Sequence, residues 1–464
     1  MIVPIEVSGP TGGHRSVQFG SALTQNMYID LAESRTGVFD LPGLKAFGTC
    51  VGNDRGSHVM GTQLFKLCGS TLYSVGQSGS FDVAAAGVSG NGRAVFADDG
   101  LTLYFVTNRT LYRFDLSTLS VVAQTVVNNV HSIAYINRQF IIAGSEGIFA
   151  TSDVADGSEY NALNFAEAET NPDPLVRPYV FNQLVYMLGS KGTELWYNSG
   201  VGNPPFDRQD TALVNVGLAG RHAIINTDQY LYWLGDDKKV YQCVGASARS
   251  ISTGSADFPV DGVSHKIERY SQVSDCVAST FLFEGQDFVL FSFPAAGKRL
   301  LYSETFNYWV EIDGPHMQVV RAYGKYYVSD ASNGNLYEMD ADTYTDNGAA
   351  RIRVRTLPTI SGSLIGAPNQ RILVKRLRLN MQVGVGLTTG QGVDPVVMCQ
   401  FSPDGGHTWQ AERHVSIGAQ GNYMIPVDFW DFCSGYDIRV RISCSDPVFL
   451  GIFNGEVDIE AVGF

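Results

Sequence analysis

One short unit recurs along this chain and sets the architecture open to it: two strand-like runs, rich in aromatic residues, joined by a polar turn. It is plainest at residues 230–242, YLYWLGDDKKVYQ, where Gly235, Asp236 and Asp237 make the turn. Each arm alternates large apolar residues with others, as a strand buried on one or both faces does. Gly and Asp accept unusual backbone angles at low cost. Comparable units end at Tyr73 (LFKLCGSTLY) and Tyr112 (LYFVTNRTLY), and carry Phe149, Trp196, Tyr241, Tyr302 and Tyr337 in the second arm. The marks lie about 35 to 61 residues apart, with a mean of about 44, the period of four-stranded propeller blades. Seven marks predict a β-propeller of about seven blades, in which each sheet buries its faces on its neighbours and few strand edges stay bare.

Composition points the same way. Charged residues make up 17% of the chain, aromatics 11%, and there are 50 glycines, a balance that suits sheets with many tight turns and predicts an all-β protein. A formal charge of −14 argues against a general surface that grips nucleic acid, because affinity for phosphates comes from clustered Lys and Arg. An acidic wall can still serve DNA by letting a duplex slide. Cys50, Cys68, Cys243, Cys276, Cys399, Cys433 and Cys444 are scattered and without CxxC spacing, so structural zinc and a dense disulfide scaffold are not expected, and all seven read as small buried hydrophobes of a reducing compartment. The start has no basic n-region, and no window holds about 18 unbroken apolar residues; neither secretion nor a membrane partner is expected.

In order along the chain, residues 1–54 read as an N-terminal extended arm and 55–360 as the propeller. The arm suits either a strap across its own propeller or a hold on a neighbouring chain. The loops NPDPLVRP (171–178) and ADFPVDG (256–262) carry prolines that fit irregular excursions better than central strands, which makes them candidate contact surfaces. Residues 361–464 break the period with alternating strands, such as RILVKRLRLNMQV and IRVRISCSDPVFLGIF, and predict a C-terminal β-sandwich.

The sharpest local motif is Ser402-Pro-Asp404-Gly-Gly406-His-Thr408-Trp409, an Asp box. Asp404 is suited to fold back onto turn amides, Gly406 to a positive φ and Trp409 to packing under the hairpin, a structural role. Sialidases carry several such boxes in propeller blades, which opens the alternative of a glycan hydrolase or glycan-binding protein. No spacing singles out the carboxyl pair, or tyrosine and acid, that a glycosidase needs. The acidic loop at Asp340, Asp342 and Asp346 lacks the EF-hand pattern, and no GxSxG, P-loop or strand-to-helix GxGxxG is present, so no catalytic residue, cofactor or metal is expected. Arg351, Arg353 and Arg355 alternate, so a strand places all three on one face. With a second cluster at Lys375, Arg376 and Arg378, they are candidates for a solvated or intramolecular face, a subunit contact or DNA phosphates.

The order of features then becomes telling: NMYID (26–30) and LPGLKAFG (41–48), RGSHVMGTQLFKLCGSTLYSVG (55–76), the repeats, and the closing motifs DGGHTW (404–409) and SDPV (445–448). This order resembles the packaged-DNA stabilisation proteins of short-tailed bacteriophages (podoviruses), the tail hub or nozzle family. The resemblance implies a non-enzymatic virion protein of the short tail, made in the host cytoplasm. It further implies a homo-hexameric ring below the portal and adaptor, tail needle, fibre or tailspike proteins below or beside it, and double-stranded DNA passing through a channel without sequence-specific binding. One departure is visible. Where the resemblance implies a basic strand after GNY, this chain reads MIPVDFWDFCSG (424–435).

Overall fold

The computed structural model describes residues 1–12, 16, 22–32, 35–144, 146–168, 173–253 and 262–462. Six antiparallel sets of four consecutive strands follow one another, 54–86, 95–122, 132–167, 175–214, 224–250 and 277–311; the first five are separate four-stranded sheets, and the sixth forms one end of a ten-stranded sheet. A further sheet takes three strands from 318–340 and its fourth, Gly43–Thr49, from the arm. The reading of about seven like units is thus corrected to six blades of consecutive strands plus one composite sheet. The marker aromatics all lie in the third strand of their sheets, for example Phe149 in Ile148–Thr151 and Trp196 in Thr193–Asn198. Sheets that radiate from an axis diverge outward, and large side chains fill the widening gap. Six of the seven markers are buried accordingly.

Apolar clusters between sheets run round the whole circuit. Phe65 and Leu72 meet Phe105 and Phe114, Tyr104 and Val106 meet Phe140 and Ile142, and Phe149 meets Trp196 edge-on at 5.0 Å. Trp233, Trp309 and Phe291 share one cluster. The last seam, between the composite sheet and the first blade, joins Tyr327 and Leu336 to Leu64 and Val75. Each fully buried aromatic contributes about 2–3 kcal/mol, so the circuit is held by its seams. Tight hairpins help: Asn108-Arg109, Asn137-Arg138 and Asn182-Gln183 all have positive φ at both residues, the geometry that matches the twist of flanking strands.

The arm is woven into its own chain. Ile2–Ile5 pairs with the final strand Gly451–Ala461, as does Arg35–Asp40. Thr24–Gln25 bridges the sixth blade's outer strand and Arg353–Thr356. Residues 353–356 and 360, placed with the propeller by the sequence, pair instead with Asp437–Cys444. The C-terminal part consists of two sheets. One holds Ile372–Met381, Val427–Gly435 and Gly451–Ala461 with arm strands; the other holds Val396–Ser402, Arg413–Ser416 and Asp437–Cys444. Both contribute to one apolar cluster, through Leu377 and Ile459 from the first and Val440 and Phe401 from the second.

Two further expectations change. Pro178 lies within the strand Leu175–Phe181, not in an excursion; this is the blade's innermost strand, paired on one side only, where a missing N–H does least harm. Residues 171–172 and 254–261 of the two proline loops lie outside the described residues. Cys50 and Cys68 form a disulfide across a separation of 18 residues, linking the end of the arm's strand to the first blade, so two of the seven cysteines are not the free thiols foreseen. The other five are buried thiols.

Candidate functional site

The alternation at Arg351, Arg353 and Arg355 does put three guanidinium groups to use together, but inward. All three residues are at most 3% exposed. Arg351 donates to the carbonyls of Leu41 and Pro42, both at 2.8 Å. Arg353 forks onto the Asp40 carboxylate at 3.1 and 3.2 Å and donates to the carbonyls of Val448, at 2.7 Å, and Asp446. Arg355 donates to the carbonyls of Val7 at 2.5 Å and Gly9 at 2.9 Å and to Thr24 Oγ1 at 3.0 Å. Gly9 packs so close to this guanidinium that a Cβ has no room. Arg351 and Arg355 therefore satisfy backbone carbonyls of the irregular arm, and Arg353 ties the arm's Asp40 to carbonyls of the C-terminal segment. The subunit or DNA contact considered for them is corrected to an internal clasp between the arm and the C-terminal sheets.

The second cluster faces outward and is also matched. Lys375 pairs with Glu460, Arg376 lies over the Trp430 ring at 5.3 Å, and Arg378 forks onto Asp428 at 2.7 Å for both bonds. Asp428 and Trp430 both come from the departing segment 424–435, which supplies partners to the basic residues instead of adding to them. Trp430 is 65% exposed.

The Asp box closes on itself. Asp404 accepts from Ser402 Oγ at 2.8 Å, from the Thr408 N–H at 2.8 Å and from Thr408 Oγ1 at 2.6 Å. These donors, those of Thr408 first, hold its carboxyl well below the usual range. Gly406 has φ of 105°, and Trp409 lies under Arg441, whose guanidinium is 3.9 Å from the ring centre. The acidic loop is occupied locally: Asp340 pairs with Lys45 at 2.7 Å and accepts from Thr343. Among the described residues no group of three or more His, Cys, Asp and Glu is placed to hold a metal.

Sequence reasoning missed the propeller axis. A cavity of about 740 Å³ opens at one mouth and another of about 480 Å³ continues along the inner strands. Arg93 and His222 line both; Arg109, Arg221 and His131 line the mouth, and Arg177 the deeper part. Arg93 is neutralised by Asp54 at 2.6 Å, the centre of a buried pairing with Lys66. Arg177 donates to the Arg221 carbonyl at 2.9 Å and lies over Tyr179 at 5.2 Å. Burial, together with Arg221, pushes the His131 imidazole down to about 4. Burial also lowers Arg177 to about 10, with Arg221 adding to the effect. No local motif marks this set, because its members are spread over several blades; the signal would be an Arg or His at or just ahead of successive inner strands, as at Arg93, His131, Arg177 and Arg221.

Among solved structures, the chain is similar to the WD40 β-propeller domain of Doa1 (13% identity over 65% of this chain and 96% of that one, TM-score 0.42). It is similar also to BamB from Moraxella catarrhalis (12% identity, 69% and 95% covered, TM-score 0.40) and to the computationally designed Ika8 protein (10% identity, 72% and 99% covered, TM-score 0.39). No curated protein matches it. A family model described as "Bacteriophage P22 Gp10, beta-propeller" matches residues 1–344, which take in the arm, the six blades and the composite sheet. The chain belongs to this phage-stabilisation family of virion structural proteins, with its role in the tail and in stabilising packaged DNA.

Proposed function

We propose that the chain is the hub, or nozzle, of a short phage tail. Six copies form a ring below the portal and adaptor, retain the packaged genome and leave a channel through which DNA departs on infection; needle, fibre or tailspike proteins attach below or beside. The observation that carries this reading is the family match over residues 1–344. The architecture supports it: a circuit of sheets closed by its own arm is a rigid body with broad faces, which suits a joint under load. A net charge of −14 per copy favours a channel wall that does not hold phosphates, so retention is mechanical and the protein performs no chemistry.

Native mass spectrometry of the purified chain, alone and with the portal–adaptor complex of the same particle, tests the assembly. A six-copy ring that joins the complex is the expected result; a monomer that never joins it overturns the reading. Incubation with sialylated or other polysaccharide substrates is expected to release no sugar, and catalytic release would restore the hydrolase alternative. A reconstruction with DNA wrapped tightly on a basic wall would overturn the sliding channel.

A further inference from the structure

We propose that the propeller axis, where the mouth meets the deeper cavity, is a binding site for a small multivalent oxyanion of the phosphate class, held by Arg221 at the mouth and Arg177 below it, with His131 and His222 beside them. The argument begins with charge. In a chain of net −14, this cavity gathers cations that the fold does not neutralise: among the described residues, neither Arg177 nor Arg221 is ion-paired, and the Arg221 side chain donates to nothing in the chain. The two sit together, with Arg177 donating to the Arg221 main chain at 2.9 Å.

Like charges placed side by side away from bulk water are unfavourable unless a counter-charge is supplied. The Nε atoms of Arg177 and Arg221 and the Nδ1 of His131 are buried without a partner. Water filling the cavity can accept hydrogen bonds from them but cannot neutralise them. The carboxylate that lines the mouth, Asp275, accepts from the Ala295 N–H through one oxygen at 2.6 Å and keeps the other without a partner, so a single negative charge faces the cations there. At about 740 Å³ the mouth has room for a hydrated phosphate, sulfate or pyrophosphate ion. Planar guanidinium groups are suited to forked bonds with such oxyanions.

Isothermal titration of the full chain with sodium sulfate and with pyrophosphate, at ionic strength fixed with chloride, tests the site. The expected result is saturable binding of one ion per chain, with a dissociation constant of roughly 1 mM or tighter, the scale of a few charge-assisted bonds. Arg221→Gln should weaken it roughly tenfold or more, Arg221→Lys by less, and Lys375→Gln on the outer face not at all. No saturable heat from the wild-type protein overturns the proposal whatever the variants do. So does binding left equal in Arg221→Gln and wild type. If Arg221→Gln does not fold, the same comparison is made with Arg177→Gln. None of these outcomes depends on ring assembly, so they stand or fall apart from the tail-hub reading.

Discussion

The chain buries arginine in two places and treats it in opposite ways. At the arm junction, Arg353 is surrounded by acceptors: a carboxylate, two carbonyls at close range, a third at 3.4 Å, and a sulfur. Its neighbour Arg351 has two nitrogens without a hydrogen-bond partner, but it lines a cavity with Asp313, Asp330 and Asp346, whose carboxylates balance its charge. At the propeller axis, among the described residues, Arg221 has no acceptor and Arg177 has one carbonyl. In the first region the charge is part of the fold, and in the second it is left for something else. Each region also places a buried histidine next to its arginines, His316 beside Arg351 and His131 beside Arg221, and these two can be compared directly.

The largest expected effect lies at the junction. Arg353→Met strands the Asp40 carboxylate and two carbonyls in a buried site and should destabilise the protein by about 3–5 kcal/mol, whereas Arg221→Met should cost nothing or stabilise by about 1 kcal/mol. Chemical denaturation of both variants checks this, and equal losses would erase the distinction.

The next effect is acid sensitivity. Burial, with Arg351 and Arg299 adding to it, pushes His316 down to about 3, and His131 is at about 4. The unfolded chain takes up these protons near the ordinary value of about 6.5, while the folded chain resists until much lower pH. Stability should therefore fall as pH drops from about 6.5 toward 3 for His316, and toward 4 for His131. Histidine NMR titration in sulfate sharpens the contrast: an anion at the axis raises the pKa of His131 and leaves that of His316 in place. The smallest effect is expected at a third polar site. Asp404→Ala should loosen only the hairpin around 402–409, read as faster local hydrogen exchange with little change in the global unfolding midpoint. Because the Asp404 pKa is depressed, its contribution is fully present above the ordinary carboxylate range and is lost progressively as pH falls from that range through the lowered value.

What the sequence disclosed follows from how local each interaction is. The third-strand aromatics could be read because a hairpin and its buried face lie within a dozen residues, as in 230–242. The Asp box was legible for the same reason, since the side-chain bonds of Ser402 and Asp404 that shape it lie between residues 402 and 408. The alternation of Arg351, Arg353 and Arg355 gave their common face but not its direction. That depends on carbonyls at Val7, Gly9, Leu41 and Pro42, which are more than 300 residues away. The composite sheet escaped notice because its outer strand comes from the opposite end of the propeller sequence. The Cys50–Cys68 link shows itself only when the strand ending at Thr49 comes to lie beside the first blade.

The strand Gly43–Thr49 has to wait for its partner. Asn335–Asp340, to which it pairs, leaves the ribosome about 290 residues later, roughly 15–60 s at ordinary rates of synthesis. Through that interval the nascent protein is an unclosed arc with a bare strand at each end, able to join a second arc as readily as itself. Closure in cis is therefore a race against local concentration, and slower translation or crowded polysomes should shift the product toward intertwined pairs.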